Sequence, residues 1–372
     1  MNANFSRSLY CVLIGLFIAG VVLQLSGYNP TEAFSALWSG ATGLKPGLPK
    51  GSNDIALGTG KAAFYLNKYH LAQSLARATP LLLIGLSVAL SLQAGLFNIG
   101  AQGQMMFGAL SATVVGGMKD ISPTIHIPLT ILAGIIGGAF WGAIPGILKA
   151  YRGVHEVIAT ILLNYMALHI TAYLVMHSLR DPNPKKMAAQ TAMMSPTSWL
   201  SPLVPGSNLT SGLFVALFLV ICYVFLLNKM ALGFEIRAVG SGQDAARAAG
   251  IPVEKTIITT MAIAGGLAGV AGALEVMGVQ HLYRADIVGN YGFDGITVAL
   301  LGNMAGFGVT LSALFFGMLS YGAGYMESQT RVPNSIAVMV QGLVILFIGI
   351  RYVSSKAKNS VLEMIDDEIQ EE

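Results

Sequence analysis

The chain has 372 residues, 54% of them hydrophobic and only 10% charged, with a mean hydropathy of +0.66. Soluble domains are about one-quarter charged, so an ordinary soluble protein is excluded. A net charge of +3 is too small to point to nucleic acid as a partner.

The apolar runs are continuous and close to the length needed to cross hydrocarbon as a helix. They lack the period-two alternation of a β-barrel strand. The 44 glycines suit close helix packing in lipid. The expected class is an all-α membrane protein, a polytopic helical bundle of about ten transmembrane helices. The expected spans lie near 8–27, 74–93, 97–118, 126–148, 156–177, 211–228, 257–276, 293–303, 307–325 and 333–351.

In chain order, the first run follows Arg7 and lacks a small-residue cleavage site, so residues 1–28 read as an uncleaved first helix. Residues 29–73 contain Pro30, Pro46 and Pro49 and read as an external loop with short helices. A membrane core follows over 74–355, with a hydrophilic loop at 229–256, and the tail 356–372 turns from basic to acidic. Cys11 and Cys222 lie in separate apolar runs and read as inert thiols.

The third span opens with GLFNIGAQGQMMFGA, residues 95–109, which places Asn98, Gln102 and Gln104 in an apolar setting. Amides at membrane depth are costly unless bonded, so this strip points to a path for a polar solute or to bonds between helices. Read as helix, Asn98 and Gln102 share a face and Gln104 lies elsewhere. Gly134, Gly138, Gly142 and Gly146 recur every fourth residue in the fourth span, a stripe for close helix approach, and Gly265 with Gly269 reads the same way. Asn164 lies mid-span beside Tyr165. In the hydrophilic loop, Ser241 and Asp244 resemble a capping box, Gln243–Ala249 is helix-prone, Gly250 suits the C′ position and Pro252 stops the helix. This predicts one short helix, either a capped surface element or one that docks on a partner. Glu275 ends the seventh span and Asp294 begins the eighth, where charges face a cavity, a partner or the interface. The eighth span is too short to cross and reads as a half-helix or broken helix.

Nothing suggests an enzyme. No phosphate-binding G-x-x-x-x-G-K-[ST] is present, and GTGK at 58–61 lacks the first glycine and the Ser or Thr. His155-Glu156 is not followed by the second histidine of a zinc motif, and no G-x-S-x-G or metal-spaced cysteine pair occurs. No metal site is expected.

Four blocks occur in order: GLFNIGAQGQMMFGA, EVIATILLNYMA at 156–167, RAVGSGQDAARAAGI at 237–251 and YGFDGITVALLGN at 291–303. With these, the chain resembles the permease subunits of bacterial ABC importers for nucleosides, the systems served by basic-membrane-protein-type lipoproteins. The wider group includes simple-sugar and branched-chain amino acid permeases. The resemblance implies an ABC importer permease fold in the bacterial cytoplasmic (inner) membrane and alternating access. It implies a partner ABC ATPase subunit, a second permease subunit forming a heterodimer, a substrate-binding lipoprotein and the lipid bilayer. It further implies that this chain binds no cofactor and that ATP is used by the partner ATPase. The loop 229–256 matches the coupling region, so Arg237, Ser241, Gln243, Asp244, Arg247 and Gly250 are candidate ATPase-coupling residues. Asn98, Gln102, Gln104, Asn164, Tyr165, Glu275, Asp294 and Asn303 are candidates for the substrate path, because amides both donate to and accept from ribose hydroxyls and base edges. Sugars or branched-chain amino acids are the alternative cargo of the same machine. An ion-coupled secondary transporter is a further alternative.

Overall fold

A computed structural model of the protein describes residues 17–46, 53–57, 64–182, 189–284 and 288–330, with a few single positions at 15 and between 332 and 343. The tail 356–372 and GTGK at 58–61 lie outside the described residues, as do most of the tenth expected span and the start of the first. The described chain is mostly helical and divides into two compact units. One comprises residues up to 71 and from 318 onward, the other Ala72–Gly317.

In the first unit, helix α1 covers 17–25 and α2 runs over Pro30–Thr42. Asn29 caps α2, its side-chain oxygen accepting from the Thr31 N–H at 3.1 Å, and Pro30 needs no N–H at the first helical position. Three short strands follow, β1 (Leu44–Pro46), β2 (Asp54–Ala56) and β3 (Phe64–Asn67). They form an antiparallel sheet in the order β1-β3-β2. The sheet is an addition to the expected helical bundle, while the short helix expected within 29–73 is present as α2. Strands of three or four residues are too short to display a period-two pattern. Lys45 of β1 donates to the Tyr325 hydroxyl at 2.8 Å and lies 3.1 Å from Nε2 of His70.

The second unit holds the membrane bundle. Its helices are α3 (Lys68–Gln93, entering from the first unit), α4 (Ala101–Gly116), α5 (Pro123–Arg152), α6 (Glu156–Met176) and α7 (Gly212–Lys229). Then come α8 (Ala231–Ser241), α9 (Gln243–Ala248), α10 (Val253–Glu275, extended by a π turn over Val276–Gln280), α11 (Tyr291–Leu301) and α12 (Gly306–Thr330, continuing into the first unit). Among the described residues, six helices are long and apolar enough to cross a membrane. The expectation of about ten is therefore not met there. Helix α4 has 16 residues and α11 has 11, so neither spans hydrocarbon alone.

Helices α4, α5 and α10 form the densest part of the bundle. The glycine stripe of α5 meets the glycines of α10 backbone to backbone. A Cβ added at Gly138 would lie 2.2 Å from the Gly265 carbonyl oxygen, and one at Gly269 would lie 2.1 Å from that of Gly134. Only glycine permits that approach, as the four-residue spacing predicted. Helix α4 joins the same contact, because a Cβ on Gly108 would stand 2.2 Å from the Gly269 Cα.

Candidate amide-lined cavity

Residues 96–99 are not helical, and α4 starts only at Ala101. Gly95 sits at φ +73°, a left-handed turn that stops the chain from continuing α3 into α4. The sequence-based placement of Asn98 and Gln102 on one helical face is thereby corrected, since Asn98 precedes the helix. Asn98 pairs with Gln104 instead. Asn98 Nδ2 donates to Gln104 Oε1 at 3.2 Å, and the Gly100 N–H donates to Asn98 Oδ1 at 2.9 Å. Both side chains are buried and occupied with each other.

A second break lies opposite. After α10 the chain returns towards the bundle, and α11 begins at Tyr291 with its first turn against α4. Gly292 permits this, because a Cβ there would fall 2.5 Å from the Gln102 backbone nitrogen. Gln102 ties the two breaks together. Its Oε1 accepts from the Gly292 N–H at 2.7 Å, and its Nε2 donates to the Gly289 carbonyl. Asn164 does the same for α4 from α6. Its Oδ1 accepts from the Gly103 N–H at 2.8 Å, and its Nδ2 donates to the Ile99 carbonyl at 2.9 Å. Backbone groups freed by broken helices must be satisfied at membrane depth, and irregular backbone is tolerated there where it lines a cavity.

The cavity is present, with a volume of about 750 Å³. Gln102, Asn164, Tyr165, Asn290 and Phe293 line it, with aliphatic side chains of α4, α6 and α11 between them. Among the described residues, its walls carry no ionisable group except the tyrosine hydroxyl. Tyr165 is 62% exposed and Phe293 49%, so both rings present open surface.

Of the candidate path residues, the structure brings Gln102, Asn164 and Tyr165 to this cavity. Asn98 and Gln104 are buried beside it. Asp294 is half-buried in the first turn of α11, and its carboxylate makes no hydrogen bond or ion pair among the described residues. Asn303 is exposed in the left-handed turn after α11, with φ +51°, away from the cavity lining. Glu275 is buried at the end of α10 and lines a separate small hollow. The charge of Arg77 in α3 acts on it, and Arg77 donates to the Tyr291 hydroxyl at 3.0 Å. Sequence reasoning passed over Arg77, whose signal was a lone cation at the edge of an apolar run. It also passed over Asn290.

The hydrophilic loop contains two helices where one was predicted. Ser241 is the last residue of α8, and its hydroxyl donates to the Arg237 carbonyl at 2.9 Å, so it does not cap α9. Gly242 holds the N-cap position of α9. The predicted end is observed, with Gly250 at φ +81°. Arg237 donates to the Leu227 carbonyl and so braces α8 against the end of α7. Arg247 bridges Asp244 at 3.3 Å and Glu254 at 2.7 Å. The Glu254 hydrogen bond raises the Arg247 guanidinium above its ordinary pKa. Asp244, Arg247 and Gly250 are exposed, while Gln243 is half-buried. At its far end α8 abuts the break between α3 and α4. A Cβ on Gly240 would lie 2.1 Å from the Gln93 carbonyl oxygen, and one on Gly95 would lie 3.3 Å from the Gly240 Cα.

Residues 70–349 match the family model described as branched-chain amino acid transport system / permease component. The chain is 37% identical over 357 residues to the guanosine ABC transporter permease protein NupP of Bacillus subtilis, covering 94% of this chain and 95% of that one. It is 32% identical to the nucleoside ABC transporter permease protein NupB of Lactococcus lactis, covering 93% and 90%. It is 34% identical to the glucose ABC transporter permease protein TsgB13 of Haloferax volcanii, covering 91% and 85%. A bundle of apolar helices with two breaks facing a neutral cavity, joined to this match, makes the chain a multi-pass membrane transport component that belongs to the branched-chain amino acid transport system / permease component family.

Proposed function

We propose that this chain is the permease subunit of an ATP-driven ABC importer that takes up nucleosides across the bacterial cytoplasmic membrane by alternating access. The cavity carries the reading. A nucleoside is neutral, with a flat aromatic base and a hydroxyl-bearing sugar. The cavity offers two open aromatic rings, aliphatic walls and amides, with no fixed charge among its described lining side chains. The likeness to guanosine and nucleoside permeases over nearly the full chain supports it.

In this reading the chain binds no cofactor, and a separate ATPase subunit hydrolyses ATP. That subunit docks on the exposed α8–α9 segment, where Asp244, Arg247 and Gly250 face outward and Arg237, Ser241 and Gln243 support them. A lipoprotein delivers the nucleoside from outside, and a second, different permease chain closes the open side of the cavity where Tyr165 and Phe293 are exposed. The likeness to a glucose permease favours a second reading, the same machine carrying a sugar. Uptake by the reconstituted transporter decides between them. Nucleoside uptake that requires the ATPase chain supports the proposal. Glucose uptake without nucleoside uptake refutes the cargo, and uptake by this chain alone on an ion gradient refutes the machine.

A further inference from the structure

Asn290 occupies the N-cap position of α11, where an asparagine side chain ordinarily accepts a hydrogen bond from the helix's first N–H groups. Here it does not, and α11 has no side-chain cap of its own. Gln102 has taken that task from across the bundle by accepting from the Gly292 N–H. Among the described residues the Asn290 amide makes no hydrogen bond, and it is exposed in the wall of the cavity. The other two lining amides are spent on backbone, Gln102 on Gly289 and Gly292 and Asn164 on Ile99 and Gly103. Asn290 is thus the lining amide with both its donor and its acceptor uncommitted, and it shares the cavity with the open rings of Tyr165 and Phe293.

We infer that Asn290 is the specificity-determining residue of the permease, reading the edge of a nucleobase that stacks on Tyr165 and Phe293. This deepens the nucleoside reading and rests on it. An amide presents one donor beside one acceptor. Every common base offers the complementary pair: N6–H with N1 or N7 in adenine, N1–H with O6 in guanine, N4–H with N3 in cytosine and N3–H with O4 in uracil. Asn290 therefore admits all four nucleosides, whereas a sugar lacking a base can bond the amide but has no flat base to stack on Tyr165 and Phe293. An acceptor-only side chain would not be so permissive. A carboxylate pairs two-fold with guanine alone, whose N1–H and N2–H both donate.

The test uses the complete transporter in proteoliposomes at saturating lipoprotein, so that selectivity reflects the permease, with labelled guanosine, adenosine, cytidine, uridine and glucose. Asn290→Leu is expected to raise the half-saturating concentration of every nucleoside about tenfold, the scale of one bidentate amide–base contact, and Asn290→Gln to retain near-normal uptake. Asn290→Asp is expected to keep guanosine while adenosine, cytidine and uridine fall about tenfold relative to it. That ratio does not depend on how much transporter assembles. An unchanged rank order in Asn290→Asp, with nucleosides still carried, overturns the assignment alone. Wild-type uptake of glucose without nucleosides overturns the cargo reading and the assignment together.

Discussion

Removing the Gln102 side chain should release the first turn of α11. In Gln102→Ala the Gly292 N–H loses its acceptor in a buried position, and the Gly289 carbonyl loses its donor in an exposed one. A buried, unpaired amide costs about 1–3 kcal/mol, while the exposed carbonyl recovers water and forfeits about 1 kcal/mol. The sum, about 3 kcal/mol, corresponds to about a hundredfold rise in the population with the α11 N-terminus open. Hydrogen exchange reads this locally. The Phe293 and Asp294 amides, both bonded to the Asn290 carbonyl in the closed turn, should exchange about a hundredfold faster. The α5–α10 contact should keep its protection. Gln102→Glu retains the acceptor for Gly292 but loses the donor to Gly289, so its exchange should fall between wild type and Gln102→Ala. Exchange in Gln102→Ala within about threefold of wild type would refute the account of Gln102 as the tie between the two breaks.

Gly138→Ala places a methyl 2.2 Å from the Gly265 carbonyl oxygen; overpacking of this kind costs about 1–3 kcal/mol, and a lowered thermal midpoint of the solubilised complex is expected. Gly324 in α12 has open space at its Cβ position, so Gly324→Ala should leave that midpoint unchanged or slightly higher, separating packing from glycine content. Replacing Asp244 and Arg247 together by Ala should lower transport-stimulated ATPase activity with the membrane bundle intact; unchanged assembly and unchanged stimulation would remove these residues from coupling. Asn164→Ala leaves the Gly103 N–H and the Ile99 carbonyl without their side-chain partners; uptake should fall while subunit assembly persists, and normal uptake would sink the cavity reading.

The sequence made some of this legible because the signal was local. Gly250 and Pro252 ended α9 where observed, a four-residue glycine repeat announced the α5–α10 contact, and the shortness of α11 could be counted. Other features depend on residues distant in sequence. Nothing near Asn98 says that its partner is Gln104, since the pairing follows from the left-handed turn at Gly95. The placement of Ser241 as the last residue of α8 was hidden because Ser and Asp three apart fit a cap equally well. Asn290 carried no local signal, and only the intrusion of Gln102, 190 residues from Gly292, shows that its cap bond is missing. The small sheet escaped because its strands are shorter than the pattern used to recognise them.

The meeting of Gly240 with Gln93 and Gly95 has a mechanical corollary. Side chains at a joint absorb displacement by changing rotamer, so part of any applied movement is lost as slack. This joint contains none, because peptide backbone rests on peptide backbone. Residues 96–99 are also not helical, so this segment does not distribute a push along a rod as a helix does. A shift of α8 would therefore bear directly on the backbone that leads to Asn98, and Gln102 joins that end of α4 to the cavity wall on α11. A bulkier residue at 240 would change the stroke of that linkage before it changed the shape of the cavity.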